Sequence, residues 1–448
     1  MDSVTTDLEA KLNDLSLQQR LEALAELVRR ARLSDTPRPA ETELVNMHCH
    51  SLYSYNAYGY SPAALAWLAY QRGWRAIGLV DFDVLDGVDE FLDACDLLGV
   101  RGAAALETRA FLPEFADREI NSPGEPGVLY HMGLGFSSSQ APDTAGSALA
   151  DLRARAVRRN RDMIARLNRY LDPVTVDYDT DVLNMTPSGN ATERHMLVAY
   201  VRAAETQTPN PTAFWADRLN LPGDKVATLM ENPAQFQNTL RAKLMKRGGV
   251  GYEQPGPDTF PPFAEVQRLI LACGALPCYA FLDGTSSGEQ ALDELVGLLV
   301  DHDTVAVNII PDRNWNIADA ATKAVKLQRL HDLARLADDL ALPFNIGTEM
   351  NSPGQRLVDD LDAPELASLR QAFLDGASFV YGHTVLQRAR GLGYQSDWAR
   401  DCLPERRARN TFYTHVGRAV PPGRAGLAQL QALDSSISPS DLLARLSL

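Results

Sequence analysis

Asn46-Met47-His48-Cys49-His50-Ser51-Leu52-Tyr53-Ser54 begins inside the first short apolar run of the chain. Side chains alternate faces along a strand, so His48 and His50 project to one side, where their nitrogens can converge on one ion. The same pair also reads as two ordinary polar residues at a strand end. Working outward, apolar runs at 44–49, 76–82, 103–107, 128–135, 275–282, 304–311, 343–349 and 378–382 alternate with helical stretches. That alternation predicts βαβ units, and with them an α/β fold built on a mainly parallel sheet or barrel.

Ahead of the first run, Thr6-x-x-Glu9 has the form of a capping box, and leucines recur at near-helical spacing, which predicts an amphipathic helix over 6–32 followed by a polar, Pro-containing linker. Between 140 and 270 the strand-helix alternation lapses into helical, polar and Pro-rich sequence, which suggests an inserted helical subdomain. The expected organisation is therefore a helix and linker over 1–40, a barrel from 41–139 and 271–400, the insertion over 140–270 and a C-terminal extension over 401–448. Residues 147–170 carry seven arginines (Arg153, Arg155, Arg158, Arg159, Arg161, Arg166 and Arg169). They form either a solvated basic face or an anion-attracting stripe.

The 448 residues are ample for a packed core, and 45% hydrophobic with 23% charged residues is ordinary globular composition. A formal charge of −15 repels phosphate backbones and anionic bilayers, so neither nucleic acid nor a membrane is an expected partner; a small molecule is. Five scattered cysteines with no Cys-x-x-Cys pair argue for a reducing compartment, and the acidic Met1-Asp2-Ser3 start lacks the layout of a secretion signal. A cytoplasmic location is expected.

In an α/β barrel, function sits at the carboxyl ends of the strands. The second run ends in Asp81-Phe82-Asp83 and the third in Glu107-Thr108-Arg109, where Glu107 and Arg109 share a face as a salt bridge or as a metal ligand beside an oxyanion clamp. Later runs lead into Asp283, Asp312-Arg313 and Glu349. Several carboxylates in one cavity repel, and a bound divalent cation is the simplest way to neutralise that cost. Gly133-Leu134-Gly135 lacks the third glycine of a dinucleotide fingerprint, which removes that class. His195 reads as a packing residue or a substrate contact, and His383 ends a strand-like run that reaches the pocket or does not.

Over roughly residues 44–390 the chain resembles the polymerase and histidinol phosphatase (PHP) metal-dependent phosphoesterases. The family's opening Asp-x-His-x-His-Ser/Thr-x-x-Ser is similar to Asn46 through Ser54, and its Thr-Asp-His strand end to Val80-Asp81-Phe82-Asp83. Its Gly-x-Glu matches at Glu107, its His-x-x-Gly segment resembles His131-Met132-Gly133-Leu134-Gly135, and its Arg-x-His element is similar to Glu193-Arg194-His195. The resemblance implies a distorted (β/α)7 TIM-like barrel of the PHP type with a helical insertion.

Departures accompany the matches. Phe82 and Phe281 stand where the family has histidines, Asn46 replaces the opening Asp, and the closing Gly-Ser-Asp-x-His becomes Gly347-Thr348-Glu349-Met350-Asn351. The carry-over leaves one metal site, His48, His50, Glu107 and Glu349, suited to zinc, manganese or iron. Glu107 with His131 retains half of a weaker second site, and the third has lost its imidazoles. The implied activity is hydrolysis of a small phosphate ester. Arg109, then Arg194 and Arg313, clamp the phosphate, His195 is a substrate contact, and Asp81 or Asp283 orients or deprotonates the water. Two other classes stay open: a metal enzyme acting on a neutral sugar, acyl or amide substrate, and a ligand-binding protein whose cluster has decayed.

Overall fold

In a computed structural model, which describes residues 3–33, 39–256 and 258–446, short strands alternate with helices around one sheet. Seven strands pair in sequence order: β1 (Val45–Cys49), β2 (Ala76–Phe82), β3 (Arg101–Phe111), β4 (Val128–Phe136), β5 (Leu276–Ala280), β6 (Ala306–Ile309) and β7 (Phe344–Ile346). The sheet curls into a nearly closed barrel. Just past the end of β7, Glu349 donates its N–H to His48 O and accepts from His50 N–H, both at 2.8 Å, and Cys49 bridges Glu349 in parallel. Gly347 lets the two ends approach, since a Cβ there would strike Asn46 Oδ1 and the His48 amide.

The sheet is mixed. β1, β2 and β3 run parallel, as do β5, β6 and β7, but β4 is antiparallel to both of its neighbours. A parallel return needs a crossover helix, and between β3 and β4 there is only a 3-10 turn at Pro113–Phe115, so the chain comes straight back.

Two further expectations change. The N-terminal helix is two helices, α1 (Ser3–Lys11) and α2 (Leu17–Leu33), broken where Ser16 N–H turns back onto Asp14 Oδ1 at 2.7 Å. Thr6 therefore lies inside α1 rather than at its cap. The linker expected after it falls largely on residues 34–38, outside the described residues. The run at 378–382 is not a strand; it sits within the helix Arg370–Arg390, which packs so closely on the helix Arg406–Ala419 that Gly382 and Gly417 each meet backbone atoms of the other. A helix buried on all sides has no polar face, which is why it reads as an apolar run.

The barrel packs against α2, α3 (Pro62–Arg72), α4 (Val88–Leu98) and the C-terminal helices, whose Phe412, Tyr413 and Val416 share the main core. α5 (Asp143–Leu171) and α6 (Glu193–Gln207), with the short helices after them, close a second core around Leu167, Tyr200, Trp215 and Phe236. Among the described residues no helix is long and apolar enough to cross a membrane.

Candidate functional site

His48 on β1 and His50 one residue past its end are both fully buried, and β3 brings Glu107 between them. His48 Nε2 and His50 Nε2 are 3.3 Å apart, and Glu107 Oε2 lies 3.4 Å from the first and 3.3 Å from the second. The far sides of both rings decide which nitrogen carries the proton. His48 Nδ1 lies 3.1 Å from Asn308 Oδ1, an oxygen that also accepts from Asn345 Nδ2, so His48 Nδ1 is the donor. His50 Nδ1 lies 3.1 Å from Ser54 Oγ, whose own hydrogen goes to Asp81 Oδ1 at 2.6 Å, so His50 Nδ1 donates as well. Both Nε2 atoms are therefore bare in the neutral rings.

Glu107 Oε2 is buried without a hydrogen-bond donor. Three lone-pair-bearing atoms thus face one another out of water, an arrangement that needs a cation or a proton at its centre. Burial pushes His48 towards its neutral form, but the adjacent Glu107 carboxylate outweighs it and raises the imidazole above its ordinary value. Burial likewise disfavours the Glu107 carboxylate, and the two imidazoles more than reverse that, holding it well below the usual carboxylate range. The triangle also has the right size. Corners spaced this way stand about 1.9 Å from their centre, so an ion slightly out of plane meets all three at the roughly 2.0–2.2 Å of zinc–nitrogen and zinc–oxygen bonds. The donor set fits zinc, manganese or iron, and Asn308 Oδ1 and Ser54 Oγ already fix the two rings.

Glu349 does not join these three atoms. The chain turns through left-handed conformations at Glu349 and Met350, with φ of 63° and 56°, and the Glu349 carboxylate is taken by Arg313 Nη2 at 2.8 and 2.7 Å and by Gln355 at 3.1 Å. His131, expected to share a second site with Glu107, is also elsewhere. Tyr130 lines the cavity, so the next residue on β4 faces the opposite way: His131 Nε2 meets Gln267 at 2.7 Å and its ring stands edge-on to Phe263.

The other expected site residues divide in the same way. Asp81 does not line the cavity; it accepts from Ser51 N–H, Ser51 Oγ and Ser54 Oγ behind β1, which makes it a support for His50 and not a base facing substrate. The Asp283 carboxylate is bound by Thr285 and pairs with Lys326 at 2.8 Å, away from the cavity. His195 completes the capping box of α6, its Nδ1 accepting from Thr192 N–H at 3.1 Å, and burial lowers it to about 4. His383 is buried in its helix with Nδ1 accepting from Tyr394 N–H. Arg109, Arg194 and Arg313 do line the cavity.

That cavity, about 880 Å³, opens over Glu107 between the barrel and the helical insertion. Phe82 lies against the His50 ring at 4.2 Å between centroids, and Phe281 lines the cavity wall. Four of the seven α5 arginines, Arg155, Arg158, Arg159 and Arg166, face inward, so the basic run is a cavity wall over much of its length. Arg109 and Arg159 both lie over the Phe260 ring, at 4.3 and 4.5 Å. Burial and the neighbouring Arg109 lower Arg159 to about 10. Arg194 is 7% exposed, donates through Nη2 to Ser352 Oγ at 2.8 Å, and keeps Nη1 buried with no partner.

Sequence reasoning passed over Ser54 and Asn308, the two groups that orient the imidazoles. Ser54 stood in the quoted motif at four residues from His50, and Asn308 in the run that forms β6. Asp83 was named at the end of the second run but given no role. It lines the cavity with its Oδ1 held by Thr108 Oγ1 at 2.5 Å, and burial pushes its carboxyl up.

No family model matches the chain, and no curated protein matches it. Among solved structures it is similar to an amidohydrolase from Chromobacterium violaceum with bound sulfate and no metal, at 17% identity and a TM-score of 0.49 over 73% of this chain and 96% of that one. It is also similar to a protein described as a metal-dependent phosphoesterase from Bifidobacterium adolescentis, at 18% identity and a TM-score of 0.47 over 75% of this chain and 98% of that one.

Proposed function

We propose that this chain is a metal-dependent hydrolase of the PHP kind that cleaves the phosphate ester of a small phosphorylated metabolite. The observation that supports the reading is the convergence of His48 Nε2, His50 Nε2 and Glu107 Oε2, with both tautomers set for coordination, at a cavity whose wall carries the buried, unpartnered Arg194 Nη1. Bound there, a divalent cation supplies Lewis-acid polarisation of a phosphoryl oxygen and a water acidified towards neutral pH.

The protein's own groups do the rest. Arg194 Nη1, buried and unpartnered, is a ready donor to an anionic oxygen, while Arg109 and Arg313 line the cavity already paired with Glu125 at 2.9 Å and Glu349 at 2.7 Å. Asp83, whose carboxyl burial pushes up against the pull of Arg159 at 3.8 Å, is the acid assigned here to pass a proton to the leaving oxygen. Phe82 and Phe281 exclude water beside the imidazoles.

The test is metal quantification on the purified protein, followed by phosphate-release assays over a panel of phosphorylated metabolites with and without chelator. Chelator-sensitive release from a subset of the panel is expected. Stoichiometric metal with no release anywhere rejects the phosphoesterase reading. The apolar stretch of wall at Phe82, Phe281 and Leu282 favours a second reading, a neutral acyl or amide substrate, so esters and amides belong on the same panel.

A further inference from the structure

Arg20 belongs to α2, outside the barrel, yet it is fully buried. Every N–H of its guanidinium is used. Nε and Nη2 fork onto Glu90 at 2.8 and 2.6 Å, and Nη2 also donates to Tyr53 Oη at 2.9 Å. Nη1 donates to the carbonyl oxygens of Asp14 and Leu15 at 2.7 and 3.0 Å, in the break between α1 and α2. Glu90 is itself tied down, accepting from Ala63 N–H at 3.2 Å. The N-terminal segment makes a second attachment at the same place, where Ser61 Oγ and N–H bond Leu12 O and Asn13 Oδ1.

A buried ion pair is a poor source of stability, because desolvating both charges offsets most of their attraction; what it does well is fix one arrangement. The arrangement fixed here is the segment that follows the His-x-His strand. Tyr53 N–H donates to Ser51 Oγ at 3.1 Å, Ser51 Oγ and Ser54 Oγ donate to Asp81 at 2.7 and 2.6 Å, and Ser54 Oγ receives the His50 Nδ1 proton at 3.1 Å. From Arg20 to His50 there is thus an unbroken path of hydrogen bonds and one short stretch of backbone. On its other side, Tyr53 O accepts from Asn190 Nδ2 at 3.1 Å, which leaves the segment held from both flanks.

We infer that the N-terminal helix pair braces the metal centre, with Arg20 and Glu90 acting as positioning residues through Tyr53 and Ser54 on His50. This rests on reading His48, His50 and Glu107 as a metal centre. Residues that orient a ligating histidine change metal affinity by roughly 10–100-fold when lost.

The experiment measures zinc and manganese affinity of the full chain by competition with a chromophoric chelator at 25 °C, alongside melting of the metal-free protein. The wild type is compared with Tyr53→Phe, with Ser54→Ala, with both together, and with Arg20→Met/Glu90→Gln in case Arg20→Met alone does not fold. Tyr53→Phe and the Arg20/Glu90 pair are expected to weaken the ion about tenfold. Tyr53→Phe is expected to add nothing once Ser54→Ala has cut the path. An affinity within about twofold of wild type in both, with only the melting temperature lowered, overturns the inference, as does full additivity of Tyr53→Phe with Ser54→Ala. A wild type that binds neither ion overturns the metal-centre reading itself, and the brace with it.

Discussion

His48 Nε2 and His50 Nε2 stand 3.3 Å apart, and each ring gives its only proton to an acceptor on the far side, Asn308 Oδ1 for one and Ser54 Oγ for the other. Two bare nitrogens held face to face, with the undonated Glu107 Oε2 completing the triangle, make a pocket for a cation before any cation arrives.

The two glutamates near this triangle should behave differently on neutralisation. Glu107→Gln removes the converging charge and is expected to weaken metal binding by about 100-fold or more, whereas Glu349→Gln, at a side chain already engaged by Arg313, should change it by less than about threefold. Chelator competition reads both. Equal losses would place Glu349 in the coordination sphere and return the four-residue set expected from the sequence.

Replacing Asn308 by Leu frees the His48 tautomer. The expected result is a fall in metal affinity of roughly 10–100-fold with far-ultraviolet circular dichroism unchanged. Unaltered affinity would mean that the ring is fixed by packing alone.

How far the sequence carried differs from residue to residue. The His-x-His pair was legible because period two and the end of an apolar run are both local properties. Glu107 was legible for the same reason. Glu349 was found at its place in the chain, but its side-chain direction depends on a left-handed turn and on Arg313, which lies 36 residues away. His131 failed on a one-residue question of phase, which apolar residues on both faces of β4 conceal. The direction of β4 was hidden too, since an apolar run reads alike either way. The α5 arginines showed a charge but not its facing, which is set by how the insertion docks.

Acid should act through buried neutral histidines. Burial lowers His131 from 6.5 to about 4. The unfolded chain therefore binds the extra proton between those values: stability from this residue is complete above about pH 6.5 and is lost as the pH falls towards 4, by about 3 kcal/mol in all. Urea unfolding of the metal-free protein across that window should show the loss, and His131→Gln should reduce it by a similar amount. A variant as acid-sensitive as wild type would contradict the assignment.

Arg194→Ala removes the unpartnered buried donor of the cavity wall. On the phosphoesterase reading KM for the best phosphorylated substrate should rise about tenfold, the value of one charge-assisted hydrogen bond, and the thermal stabilisation given by inorganic phosphate should shrink. An unchanged KM would remove Arg194 from substrate binding.

At the contact between the helices Arg370–Arg390 and Arg406–Ala419, a Cβ on Gly382 meets the Tyr413 carbonyl oxygen and comes within 2.8 Å of Gly417 N. Gly382→Ala is expected to cost about 1–3 kcal/mol in denaturant unfolding. A neutral effect would argue against this packing, and with it against the helical assignment of 378–382.

Anomalous diffraction from crystals grown with zinc or manganese addresses the centre most directly. One strong peak is expected about 2.0–2.2 Å from His48 Nε2, His50 Nε2 and Glu107 Oε2 together. Crystals that hold the ion elsewhere, or that show the three side chains in place with no peak among them at saturating metal, would contradict it.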